Sequence, residues 1–300
     1  MKQLCSALLI LASFSCLADV ARLNYFPVED FYTTLKYQYI NQNIYASNPG
    51  RTAQTKRRYG QDLQFAVYSR LLTSSFLGLS FDYGEGEETG SRYGDVALKE
   101  YEFQGFSDPE LDYYTRLINQ GPDAGSWDAQ ILLKPGLFES KVGSSRANRF
   151  NGYTTFESRL IHGFHENQWD FRSVFALRYF SSGVERRKRG EERLRLEPHL
   201  DGIFSFQAQY QIYESFYLTP GIGMIYRGSQ RLNGKTSSRT IQAGTGSQFE
   251  LEGKKTFSSQ RSLALSYATY RNEYFVRASP ENFDGKVRNH ALNLKWLNAF

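Results

Sequence analysis

Apolar residues recur at every second position along most of the chain, and many of the residues between them are polar or charged. A period of two marks a β-strand whose two faces meet different surroundings. The pattern is cleanest from Arg193 to Tyr210. There Leu194, Leu196, Leu200, Phe204, Phe206, Ala208 and Tyr210 alternate with Arg193, Arg195, Glu197, His199, Asp201, Ser205, Gln207 and Gln209. Earlier, Leu35, Tyr37 and Tyr39 oppose Thr34, Lys36 and Gln38, and Leu63, Phe65, Val67 and Leu71 oppose Asp62, Gln64, Tyr68 and Arg70. Leu77, Leu79, Phe81 and Tyr83 oppose Gly78, Ser80 and Asp82, and Leu111, Tyr113 and Leu117 oppose Asp112, Tyr114 and Arg116. Trp127, Ala129, Ile131 and Leu133 oppose Asp128, Gln130 and Lys134. Phe156, Ser158, Leu160 and His162 oppose Glu157 and Arg159, and Trp169, Phe171, Phe175, Leu177 and Tyr179 oppose Asp170, Arg172 and Arg178. Beyond a strand at 216–227, Ile241, Ala243, Phe249 and Leu251 oppose Gln242, Gln248, Glu250 and Glu252, and Leu263, Leu265 and Tyr267 share a face.

These segments predict about twelve strands, and their connections alternate in length. Polar loops at 41–58, 84–107, 139–148, 185–192, 231–238 and 277–285 alternate with short turns at 73–75, 121–123, 165–167, 213–215 and 258–260. Long loops on one side, short turns on the other and an even strand number describe a transmembrane barrel. A two-sheet sandwich would not separate its connections this way. The apolar face then meets lipid and the charged face lines the interior, while closure leaves no sheet edge in hydrocarbon.

Composition agrees. Aromatic residues make up 16 %, with 21 Tyr and 23 Phe, which suits strands and interfacial girdles. The mean hydropathy of −0.53 does not argue against a barrel, because only every second strand residue faces lipid. The net charge of +5 is modest and gives no reason to expect nucleic acid as a partner of an exported chain.

Export is read from the start. Lys2, the apolar run Leu8 to Ala12 and the sequence Cys16-Leu17-Ala18 form a secretory signal over 1–18, with cleavage expected before Asp19. Residues 19–300 are then one barrel domain. Lipid attachment at Cys16 is the weaker reading, since Ser13 stands where a lipobox usually carries Leu. Both cysteines fall within the signal, so no disulfide is expected in the mature chain. No segment approaches the ~18 consecutive apolar residues of a membrane-spanning helix.

The last stretch runs from Lys286 to Phe300. His290, Leu292, Leu294, Trp296 and Phe300 lie on one face, and Asn289, Ala291, Asn293, Lys295, Leu297 and Ala299 lie on the other. A final strand ending on an aromatic residue resembles the closing strand of Gram-negative outer-membrane β-barrels. The resemblance covers the whole mature chain and implies an all-β, closed antiparallel up-and-down transmembrane β-barrel. It also implies that Trp296 and Phe300 serve membrane assembly through the barrel-insertion machinery. The segment Gly105-Phe106-Ser107-Asp108-Pro109-Glu110-Leu111, with Tyr114 and Arg116 after it, loosely resembles the transporter-like barrels of phenol-degradation pathways.

Three functions compete. A channel for small polar solutes, anionic ones included, would be lined by Glu157, Arg172, Arg178, Arg193, Arg195, Glu197, Asp201, Arg227 and Lys295. Folding the chain about 184–191 sets Arg178 against Arg195 and Arg172 against Asp201, and the next hairpin sets Asp201 near Arg227. This predicts a positive patch on one wall of the outer lumen, and rings of Arg favour anions. A lipid-modifying enzyme would need His and a hydroxyl paired on the lipid face. His162 shares a face with Ser158 but sits beside a short turn, and His290 at the outer rim has Tyr39, Thr269 and Arg271 for neighbours, with no serine. A plugged barrel acting as a surface binder would use the basic tip Arg186 to Arg189 against lipopolysaccharide phosphates. The acidic run Glu85 to Glu88 lacks the spacing of a calcium loop, so neither metal nor cofactor is expected.

Overall fold

The computed structural model describes residues 29–48, 51–92, 96–119, 125–138, 140–142, 152–187, 192–234, 238–258, 260–278 and 282–300. The expected signal at 1–18 lies outside these residues. The strands are β1 (Phe31–Asn48), β2 (Arg51–Leu72), β3 (Ser75–Arg92), β4 (Val96–Phe106), β5 (Glu110–Asn119), β6 (Ser126–Lys134), β7 (Ser140–Val142), β8 (Thr155–Glu166) and β9 (Trp169–Phe180). They continue with β10 (Gly183–Arg187), β11 (Glu192–Leu196), β12 (His199–Tyr213), β13 (Phe216–Arg227), β14 (Gln230–Asn233), β15 (Ser238–Ile241), β16 (Gly244–Ser258), β17 (Arg261–Ala278) and β18 (Asn282–Ala299).

Twelve of them form a closed antiparallel ring in the order β1, β2, β3, β5, β6, β8, β9, β12, β13, β16, β17, β18, and back to β1. The seam joins the first and last strands, with Leu35 lying between Phe65 and Trp296. Both chain ends of the barrel sit on the side of the short turns, where the Phe300 backbone N–H donates to the Phe31 carbonyl at 2.8 Å. Alternation does what it predicts. Phe65, Leu79, Phe81, Phe175, Phe204, Ile222, Leu265 and Leu292 are exposed on the outside, while Ala66, Ser80, Asp112, Gln209 and Asn293 are buried inside. An outer face this apolar belongs in hydrocarbon, and closure of the ring leaves its strands no open edge there.

The structure corrects the expected long loops. Most of 41–58 and 84–107 is strand: β1 and β2 stay paired to Asn48 and Arg51, and β3 stays paired with β4 to Arg92. Above the lipid both faces of a hairpin meet water, so the apolar period vanishes while backbone pairing continues. The 185–192 tip likewise narrows, because Arg187 still pairs with Glu192.

A second correction concerns the segment with the cleanest alternation. It breaks at Glu197-Pro198 into β11 and β12. Proline cannot donate to a ladder, which ends the pairing there. Gly228 marks the same bend on the neighbouring strand, since a Cβ there would stand 2.3 Å from the Leu200 carbonyl oxygen. Beyond the bend, Leu194 and Leu196 do not face lipid. They are buried with Leu232 against Tyr153 and Ile241, and Arg193 and Arg195 are the exposed residues.

Candidate functional site

The barrel interior encloses a cavity of ≈720 Å³ lined mainly by polar side chains. Lys36 and Lys295 line it from β1 and β18, Arg159 and Arg172 from β8 and β9, Glu110 and Asp112 from β5, and Glu250 and Glu252 from β16. Parity places each of them, because each falls on the inward set of its strand. Several are held in place. Asp112 accepts two hydrogen bonds from Gln130 at 2.9 and 2.8 Å and one from Tyr68 at 3.2 Å. Tyr68 stacks on Tyr32 at 4.3 Å and lies over Gly78, whose missing side chain gives the ring its space. Toward the turn side, Arg116 bonds Asp128 at 2.8 Å, and Tyr114 donates to the same carboxylate.

Other cations are not held. Lys36 sits directly opposite Lys295 across the seam, and among the described residues neither has a carboxylate within ion-pair distance. The Nε of Arg172 is buried without a hydrogen-bond partner among the described residues. Lys36 was legible as an inward residue, but nothing in the sequence announced that it would face a second lysine. That required the register of the seam.

Nearer the loop side, four charges stand in one cross-strand row. Glu157 of β8 faces Arg178 of β9, Arg178 faces Asp201 of β12, and Asp201 faces Arg227 of β13. Glu157 accepts from both Arg159 and Arg178, and Asp201 accepts from the Gly228 N–H at 3.0 Å. The expected meeting of Arg178 with Arg195 does not occur. Arg195 lies opposite Val184, and Arg172 lies opposite Gln207 rather than Asp201, because the hairpin turns later than 184–191. The expected closeness of Asp201 to Arg227 does occur, with a 4.0 Å separation. This wall therefore alternates in sign where a positive patch was expected. Glu197 accepts from Asn233 at 2.7 Å, beside Arg193 and Arg195 and away from the cavity.

The remaining candidates find places in the wall. His162 packs against Trp127 at 4.5 Å, and Ser158 is paired with Ile131 and Leu177. His290 hydrogen-bonds Tyr267 at 2.7 Å on the outer face, and His199 stacks on Phe180 at 4.2 Å. No group of three or more His, Cys, Asp or Glu residues among those described is arranged to hold a metal. The segment Gly105 to Leu111 is the joint between β4 and β5. Ser107 bonds Asp82, and buried Asp108 accepts from the Leu137 N–H at 3.1 Å. Above this joint β4 has a ladder partner on one side only among the described residues, and Phe106, Leu137 and Phe138 are exposed.

Against known structures, the chain is similar to the COG4313 outer membrane channel from Pseudomonas putida F1. The TM-score is 0.62 at 14 % identity, over 94 % of this chain and 100 % of that one. The fold is that of an outer-membrane β-barrel. The translocator domain of the autotransporter NalP from Neisseria meningitidis is similar over 93 % of this chain and 91 % of that one, with a TM-score of 0.54 at 11 % identity. The transport unit of the autotransporter AIDA-I from Escherichia coli is similar over 100 % and 98 % of the two chains, with a TM-score of 0.53 at 8 % identity. No family model matches the sequence, and no curated protein matches it.

Proposed function

We propose that this outer-membrane barrel is a channel for small polar solutes and that it favours anions. The observation that carries the reading is the polar cavity inside a closed ring, with Lys36, Lys295 and Arg172 free of ion pairs among the described residues. The sign-alternating row from Glu157 to Arg227 stiffens the barrel and leaves selectivity to the seam. One similar structure is an outer membrane channel, which agrees with passage through the lumen. On this reading the apolar band lies among outer-membrane lipids and lipopolysaccharide, and the insertion machinery receives the chain through Trp296 and Phe300. The test is conductance of the refolded protein in a planar bilayer under a salt gradient. Unitary steps with a reversal potential on the anion side support the channel, and a silent barrel means a plugged, structural protein.

A second reading rests on the one-sided pairing of β4 beside exposed Phe106, Leu137 and Phe138. An apolar solute would leave the barrel sideways there, into the outer leaflet. Uptake of an aromatic hydrocarbon into liposomes that carry the protein, lost in Phe106→Asp, would favour it over the polar route.

A further inference from the structure

The outer wall carries a second charged feature, on the face away from the lumen. Arg271 of β17 lies directly opposite Arg288 of β18. Arg288 in turn faces Asn43 of β1, and Asn43 faces Arg57 of β2. Parity places all three arginines outward, Arg271 in step with Tyr267 on β17, Arg288 with Leu292 on β18 and Arg57 with Phe65 on β2, and all three are exposed. Two like charges directly across a ladder are unfavourable.

Internal neutralisation is incomplete. Glu273 accepts from both Arg271 and Lys286 at 2.7 Å, so one carboxylate serves two cations. Arg57 bonds the neutral Asn43 side chain at 3.3 Å, and Arg288 has no acidic partner among the described residues. Asp284, outward on β18, is four positions further from the membrane, opposite Phe275 and Ser47.

Depth selects what meets this row. Counting from Phe300, Arg288 is 12 residues up β18, and a tilted strand crosses the hydrocarbon in about 9–11. Leu265 and Leu292 lie in the apolar band below; Tyr267, level with Leu292, bonds His290, which is the next outward residue below Arg288. The row therefore stands at the headgroup level of the outer leaflet. Guanidinium groups match phosphate oxygens bidentately. We propose that Arg271, Arg288 and Arg57 form a site for the phosphorylated headgroup of an outer-leaflet lipid, with the acyl chains lying against Leu265 and Leu292. This site is separate from the lumen and does not depend on the channel reading.

The test is binding of lipid A to the refolded barrel in detergent, followed by native mass spectrometry. Bisphosphorylated lipid A is expected to bind at least ten-fold more tightly than its dephosphorylated form, and inorganic phosphate at millimolar concentration is not expected to displace it. Arg271→Gln/Arg288→Gln, shown to be folded by heat-modifiable migration, is expected to abolish the difference between the two lipids. Equal binding of the two lipids by the wild type overturns the site. So does a folded double variant that still discriminates, and so does displacement by free phosphate, which would make it a simple anion site. Because the comparison of lipids uses the unaltered protein, the proposal stays testable even if the double variant does not fold.

Discussion

Lys36 of β1 lies directly opposite Lys295 of β18, on the lumen side of the seam where the first and last strands meet. Among the described residues no carboxylate forms an ion pair with Lys36. Like charges directly across a ladder weaken it by roughly 0.2–1 kcal/mol. Lys295→Gln is therefore expected to stabilise the barrel by up to about 1 kcal/mol and to move the reversal potential toward cations. The midpoint of the heat-modifiable transition reads the first effect and bilayer recording the second. A less stable variant with unchanged selectivity would assign the pair a purely structural role.

The row Glu157–Arg178–Asp201–Arg227 leads to the opposite expectation for its own charges. Glu157 is nearly buried and serves two arginines at once. Glu157→Gln leaves both without their carboxylate, and losing hydrogen bonds to charged groups costs about 1.5–3 kcal/mol. The variant should unfold at lower denaturant and conduct with near-normal selectivity. A selectivity change as large as that of Lys295→Gln would return the anion site to this wall.

Gly78 is required by packing. A Cβ at this position would stand 2.3 Å from Cε1 of Tyr68, which is fixed by its stack on Tyr32 and its bond to Asp112. Gly78→Ala should destabilise by about 1–3 kcal/mol, the usual range for overpacking. Adding Tyr68→Ala should recover part of that loss in a double-mutant cycle. Full tolerance of Gly78→Ala would mean that the ring moves freely.

How much of this was legible in the sequence follows from where a residue meets lipid. Leu63, Phe65 and Val67 could be assigned to the outside because hydrocarbon on one face and water on the other impose a period of two. The same rule failed at Leu194 and Leu196. Their alternation is perfect, but Pro198 breaks the ladder below them and Tyr153 and Ile241 cover them, so the pattern reports a small packed cluster instead of a bilayer. At Asn43, Arg57 and Thr89 the strands run on with no apolar period to reveal them. The inward set of the site, from Lys36 to Glu250, was readable by parity. The pairing was not, because register in a hairpin depends on where the turn falls, and a turn displaced toward Glu192 exchanged Arg195 for Asp201 opposite Arg178.

Beyond the lipid, Glu273 gives a pH expectation. The side chains of Lys286 and Arg271 bond it and lower its pKa to about 2 from an ordinary 4.5. A depressed carboxylate contributes stability that is present above the unfolded value and is lost as pH falls through the folded one. The outer ends of β17 and β18 should therefore keep their pairing as pH drops to 4 and loosen toward 2. Amide exchange at Asn272 and Val287 across this window measures it, and early loss near pH 4.5 would show that the two cations do not hold the carboxylate.

The closing strand carries the last expectation. Trp296 faces Leu35 and Leu263 across its two ladders and packs on Phe257 at 5.8 Å. Phe300 anchors the end of the barrel through its N–H to Phe31 and a 5.7 Å contact between the two rings. A charge on the lipid face costs about 2–4 kcal/mol for Arg or Lys at mid-depth, less for Asp and less near the interface. Trp296→Asp should consequently weaken the barrel in vitro by only about 1 kcal/mol. Its effect in cells, and that of deleting Phe300, should be larger, because assembly requires the seam to close before the edges of β1 and β18 find other partners. Both variants should accumulate in the periplasm or be degraded, as read by surface proteolysis of intact cells. If both reach the surface at wild-type levels while their in-vitro stability falls as expected, the terminal aromatic residues contribute packing alone and have no part in assembly.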